Sequence, residues 1–407
     1  MTYVRYSNRQ RAAWIAGTTG TPVAVATYRV ANLTPNPERS VELPNTTTVG
    51  EDSPAPTRAG GKFMEFGFTS EIRGAGTSNV PPPEGSLLRG CGFQETAGVG
   101  LTYTAANTHL TSGTPVGYTD PVDIEIYQDG LYRKCDECVG NVVITFEAGA
   151  IPTFDFAWRG LVVAARKGGI ENFSPPDFTV GQLPVPVQSE ALTIAITRST
   201  LAAVTGTITD TEGTTDTLVD SAATFWDDGV LPGDTVTLTI GGETALVVSV
   251  DSQTELTTAD LSSSGTYDNG EAYSIAKADY STTSLVCSRI VCDMGNVFPN
   301  RNSVSGAGGF AQPIITGRNP VYTLLFEQPD LDTFNFEREY IEGTTLDISW
   351  THEAGLGIRQ ELACSYSGVI SRFPETQVVD GKLMYAVSLD QAIASGDTKM
   401  TLAWKAA

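Results

Sequence analysis

Two segments of this sequence alternate polar and apolar residues one by one, and that period of two constrains the fold more than any other feature. One is Val122-Asp123-Ile124-Glu125-Ile126-Tyr127; the other is Thr235-Val236-Thr237-Leu238-Thr239-Ile240. Successive side chains point to opposite sides only in extended chain, so each segment predicts a strand with one apolar face. Each runs into a tight-turn signal, Asp129-Gly130 and Gly241-Gly242 respectively, and so predicts a hairpin. Return strands are expected over 141–147 and 153–163 after the first and over 243–250 after the second. Further strands are expected over 61–71, 312–327 (broken by Gly317-Arg318-Asn319-Pro320), 344–351, 360–373, 382–388 and 399–404.

Helices are expected only twice. The run Pro81-Pro82-Pro83 stops a strand, and a short helix after it would bury Leu87, Leu88 and Cys91 and end at Gly90 and Gly92. A second is expected over 330–341, capped by Asp330 or Asp332, with Leu331, Phe334 and Ile341 near one face. Pro22, Pro35, Pro37, Pro44, Pro54 and Pro56 exclude a long helix from the first sixty residues, where 38–61 reads as a protruding hairpin or arm. The order strand, short helix, strand, hairpin over 61–165 has a counterpart over 312–404, which suggests two copies of one sandwich-like module.

Catalytic and metal chemistry finds little to work with. The two histidines, His109 and His352, are far apart and next to no nucleophile. Cys135-Asp136-Glu137-Cys138 has the spacing of a redox pair or half a zinc site, with Cys287 and Cys292 as a second half. The flanking carboxylates raise a thiol pKa, and the second pair departs from two-residue spacing, so two thiols on a β-hairpin is the reading taken. Ser305-Gly306-Ala307-Gly308-Gly309-Phe310 lacks the lysine of a phosphate-cradling loop. Asp123 and Glu125 share a strand face without a facing partner, so they read as a solvated face or a channel lining. The tryptophans 14, 158, 226, 350 and 404 are scattered and read as core anchors rather than a sugar-binding groove. The expectation is a protein that is not an enzyme, with no cofactor and no metal.

The net charge of −22 is unevenly spread. Residues 201–279 hold fourteen Asp/Glu against one Lys, a net of −13, which leaves −9 for everything else. No basic patch for phosphates is present. No apolar run approaches the roughly 18 residues of a membrane span, and Met1–Arg5 begins no signal pattern, so a soluble chain made in a cytoplasm is expected.

Several blocks resemble the tail tube (major tail) proteins of bacteriophages with long non-contractile tails. They are Pro82-Pro83-Glu84-Gly85-Ser86-Leu87-Leu88-Arg89-Gly90-Cys91-Gly92-Phe93; 124–130 followed by Gly140-Asn141-Val142-Val143-Ile144; 147–156 closing on Arg159-Gly160-Leu161; and Asp293-Met294-Gly295-Asn296-Val297 with Ile315-Thr316-Gly317-Arg318-Asn319-Pro320. The resemblance covers most of 5–170 and 285–405. It implies a mainly β fold: two tube-type sandwich or barrel-forming modules (1–200 and 280–407) with short flanking helices; residues 201–279 depart from it and read as an inserted small acidic β domain, expected on the tube exterior. It further implies a virion protein whose rings stack into a genome conduit, three copies per ring if the chain holds two modules and six if it holds one. Its partners would be further copies of itself, the tape-measure protein, the tail terminator and the distal tail or baseplate proteins, with viral DNA passing through unbound and no membrane. Asp123, Glu125 and Asp347 are the candidate lumen-lining acids, with an outward orientation equally open. The alternative is a secreted or surface β-domain adhesin.

Overall fold

The computed structural model describes residues 10–16, 27–29, 31–34, 36–42, 58–73, 82, 84–97, 100–105, 121–128, 131–162, 192–198, 203–209, 214–262, 265–277, 281–282, 285–303, 310–329, 334–352, 361–379, 381–391 and 400–405. It is a mainly β protein of antiparallel sheets. Two compact units form, one drawn from 1–195, 283–329 and 348–407, the other from 196–282 and 330–347.

In chain order the strands before the acidic segment are β1 (Gln10–Ala16), β2 (Thr27–Arg29), β3 (Asn36–Glu42), β4 (Arg58–Glu71), β5 (Phe93–Ala97), β6 (Gly100–Ala105), β7 (Val122–Gln128), β8 (Leu131–Glu147), β9 (Thr153–Val162) and β10 (Leu192–Arg198). The acidic segment holds β11 (Val204–Thr207), β12 (Thr217–Val219), β13 (Thr235–Leu238), β14 (Thr244–Ser252), β15 (Glu255–Thr258) and β16 (Ala272–Ala276). After it come β17 (Ser281–Thr282), β18 (Cys287–Asp293), β19 (Asn296–Val297), β20 (Arg301–Asn302), β21 (Phe310–Ala311), β22 (Gly317–Arg318), β23 (Val321–Glu327), β24 (Thr345–His352), β25 (Glu361–Ile370), β26 (Glu375–Val379), β27 (Lys382–Gln391) and β28 (Thr401–Lys405).

The first unit is organised by β8, a strand of 17 residues. One of its edges pairs with β9, which carries β4 and then β3 beyond it. The other edge is shared. Its first part pairs with β7 and its last part, from Val143 to Glu147, with β18. From β18 the ladder continues through β23 to β27, which pairs with β25 and β26. β25 in turn pairs with β28, β28 with β6, and β6 with β5. Segments expected in separate modules are thus woven into one sheet. The apolar alternation of β7 appears as expected: Val122, Ile124 and Ile126 are buried. Gln128 pairs with Leu131, so the connection is two residues long, as Asp-Gly requires; Asp129 and Gly130 themselves lie outside the described residues. β3 and β4 form the base of the expected arm, whose tip at 43–57 lies outside them too, as do His109 and the glycine run 305–309.

The second unit contains a six-stranded antiparallel sheet in the order β11-β16-β13-β14-β15-β12. Just beyond β11, Thr209 donates its N–H to Val219 O of β12 (2.8 Å), which draws the two edge strands together. Ala245 and Val247 of β14 face a core that includes Phe225, Leu218, Val236, Leu256 and Tyr267. Gly241 (φ 89°) and Gly242 (φ 69°) make the turn, a left-handed pair that residues with a Cβ resist. Trp226 corrects the core-anchor reading. Trp158, Trp350 and Trp404 are buried, but Trp226 is 57 % exposed.

Two helices occur. The first, α1 (Gly85–Gly90), lies where the proline run predicts it and buries Leu87 and Leu88. The second, α2 (Phe336–Glu342), starts six residues later than expected. Asn335 caps it, accepting a hydrogen bond from Arg338 N at 3.0 Å, while Asp330, Leu331 and Asp332 lie outside the described residues. Ile341 is 78 % exposed, while Phe334, which precedes the helix, is buried; the buried face of α2 is instead Phe336, Arg338 and Glu339.

Candidate functional site

The point where β8 passes from β7 to β18 leaves backbone groups without a neighbouring strand on that edge, and three of the four motif blocks meet there. Asn296 donates from Nδ2 to Cys91 O (2.8 Å) and to Gly140 O (3.0 Å), and its own N–H donates to Asn141 Oδ1 (3.0 Å). Asn141 Nδ2 donates to Asp293 Oδ1 (2.7 Å), which also accepts from Gly295 N (2.9 Å). Arg318 donates from Nε to Asn296 Oδ1 (2.8 Å) and from Nη2 to Cys91 O (3.0 Å) and Gly92 O (3.1 Å). The guanidinium lies 6.0 Å from the Phe93 ring centre.

The residue types follow from crowding and geometry. A Cβ on Gly140 would meet the Trp158 ring at 2.7 Å, and one on Gly90 would meet Val122 at 2.8 Å. Gly295 sits at φ +56° with Asn319 O where a Cβ would be. One network therefore closes the C-terminal end of α1, the open stretch of β8 and the bend after β18. In the sequence Asn296 and Arg318 stand out only as members of blocks, with no role attached. Their pairing across more than 150 residues leaves no local signal.

The second polar cluster lies on the β7–β8 hairpin. Val122 pairs with Cys138 and Ile124 with Cys135, so Asp136 and Glu137 together face the single residue Asp123: a β-bulge. Glu137 takes φ +53° there. Its N–H has no place in the ladder and donates to Asp123 Oδ1 (3.0 Å). Lys134 Nζ stands 2.9 Å from Asp136 Oδ1 and 3.6 Å from Asp123 Oδ2. Burial, then the neighbouring Asp136 charge, raises the Asp123 pKa against the opposing Glu137 N–H and Lys134. Glu137 is also raised, by burial and then by Asp123 and Asp136.

Asp123 is 7 % exposed, so the solvated-face reading does not hold for it; its carboxylate completes the bulge. Glu125, one pleat along on β7, is half-buried, and Asp347 on β24 is exposed. Asp123 and Glu125 share a strand, whereas Asp347 falls in the other unit. The four cysteines that a zinc site would need are also apart. Cys292 sits opposite Ile144, six residues along β8 from Cys138, a separation of about 20 Å in extended chain.

A third feature is an exposed strand. All five residues of β26 are exposed, with Val378 at 74 %, and β27 is its ladder partner among the described residues. Leu383 is exposed on the same hairpin, and Phe373 just before it.

No protein-family model matches the chain, and no curated protein matches it. Among the described residues no helix is long and apolar enough to cross a membrane.

Proposed function

We propose that this chain is a structural virion protein whose rings stack into the tail tube of a long-tailed bacteriophage. The observation that carries the reading is β26, a fully exposed strand that ends in Val378 and Val379 and pairs with β27 at the margin of a large antiparallel sheet. Such an edge is a template for another strand, and closing a ring of sheets would cover it. The sequence blocks that resemble tail tube proteins add support, because three of the four meet in one hydrogen-bond network rather than lying scattered. Three copies per ring are preferred, with contacts to tape-measure, terminator and baseplate proteins at the ends of the tube. For the conduit surface Glu125 is the better candidate, since Asp123 is committed to the bulge and Asp347 falls in the unit that holds the acidic segment.

Negative-stain electron microscopy of the purified protein tests this reading. Hollow tubes or stacked rings are expected. Val378→Lys, at an exposed position, should abolish them while leaving a folded monomer with unchanged circular dichroism. A wild-type protein that stays monomeric at all concentrations, or tubes unaffected by Val378→Lys, would overturn the assignment of the edge.

A further inference from the structure

The bulge on β8 has a second effect, on the two cysteines that bound it. In a regular strand residues three apart point to opposite faces and lie about 10 Å apart. Here three steps of β8 are opposed by two steps of β7, so Cys135 and Cys138 stand beside Ile124 and Val122 on one face. That shortens their Cα separation to about 6.6 Å, inside the span of roughly 4.4–6.8 Å that a disulfide bridges. The sulfurs converge as well. A Cβ on Gly160 of β9 would lie 2.5 Å from Cys138 Sγ and 2.7 Å from Cys135 Sγ, which puts the two sulfurs within about 5 Å of each other. Glycine at 160 leaves the room they occupy. Both are free, buried thiols, and Cys138 Sγ donates to Cys135 O at 3.3 Å.

We infer that Cys135 and Cys138 are a disulfide-forming pair, a covalent clasp across the bulge. In the step two S–H bonds break and one S–S bond forms. The two protons and two electrons pass to an oxidant such as diamide, whose N=N bond becomes a hydrazine, or to a small disulfide, which is split into two thiols. Burial first, then the hydrogen bond and charge of Cys135 and the carboxylates Asp123 and Asp136, hold the Cys138 thiol well above the usual range. Scarce thiolate makes exchange slow at neutral pH. The pair is therefore a slow structural clasp rather than a turnover redox centre.

The test uses the full chain, in two arms. Folded protein is incubated with diamide at pH 8, then unfolded, alkylated and digested; in parallel, unfolded protein is refolded with oxidised glutathione. A peptide holding both residues, two hydrogens lighter and unalkylated, is expected in each arm, with near-ultraviolet circular dichroism matching the reduced protein. Alkylation of both residues in both arms, a bond from either to Cys91, Cys287, Cys292 or Cys364, or loss of the native spectrum once the bond forms would each overturn the inference.

Discussion

The two helices are nearly the same length, six residues in α1 and seven in α2, yet their starts are held differently. α2 is closed by its neighbours in sequence. Asn335 caps its start, and Gly343 at φ +62° lets the chain leave at its end. α1 has no side-chain cap at its start, where Glu84 turns its carboxyl away into the core. At its end the N–H groups of Cys91 and Gly92 return to Leu87 O, Leu88 O and Arg89 O, and the Cys91 carbonyl just beyond is bound by Asn296 and Arg318, more than 200 residues further along. A helix this short is not stable alone, so α1, uncapped at its start, leans on the distant residues that bind Cys91 O, while α2 carries a side-chain cap of its own.

The sharpest way to break this contrast is Asn296→Ala. It leaves Cys91 O with Arg318 alone and strips Gly140 O and Arg318 Nε of a partner in a buried site. Each such loss costs about 1–3 kcal/mol, so urea unfolding should show the first unit destabilised by about 3 kcal/mol. A loss under 1 kcal/mol would mean that α1 is held by packing alone.

The next test concerns the unused cap. Glu84 is fully buried, accepts one hydrogen bond from Ser70 Oγ (3.2 Å), and has no partner at Oε2. Burial lifts its pKa from 4.5 to about 8, against its own backbone N–H, Ser70 and the Arg73 charge, with Glu71 adding to the rise. The folded state thus holds a proton that the unfolded state releases. Its effect on stability is fully favourable below pH 4.5 and is lost as pH rises to about 8. Glu84→Gln keeps the neutral shape, so its stability relative to the wild type should rise across that window by a few kcal/mol, on the order of 1.4 kcal/mol for each pH unit that separates the folded and unfolded pKa. Urea midpoints for both proteins at pH 5 and pH 9 measure this, and a constant difference between them would show that the carboxyl finds solvent.

The smallest effect belongs to α2. Asn335→Ala removes one local hydrogen bond and should cost about 1 kcal/mol, read from thermal unfolding of the second unit. A cost as large as that of Asn296→Ala would erase the distinction between the helices.

The same contrast explains what can be read from the sequence in advance. The β7–β8 and β13–β14 hairpins are legible because period-two burial and a short turn, two residues in the first and four in the second, are local. The start of α1 is legible from its prolines. The onset of α2 is harder, because Asn335 competes as a cap with two aspartates upstream and local propensity does not rank them. β26 escapes sequence reading because all its residues are exposed and it has no apolar face. Asp123 misleads because alternation says which side a residue takes, not whether the next strand has a bulge whose amide needs a carboxylate. The network at Asn296 stays hidden for the same reason: its members touch only after the sheet is built.

The pairing of β6 with β28 also sets a schedule. Residues 100–105 cannot find their partner until 401–405 have been made, about 300 residues later, which at 5–20 residues per second is roughly 15–60 s of synthesis. The acidic six-stranded sheet needs only its own stretch of chain and has no such wait. A nascent chain would therefore hold a finished acidic sheet while its main sheet stays unsealed. For a protein proposed to polymerise through a strand edge, that order delays a complete assembly surface until late in translation, when neighbouring subunits are least able to join it half-built.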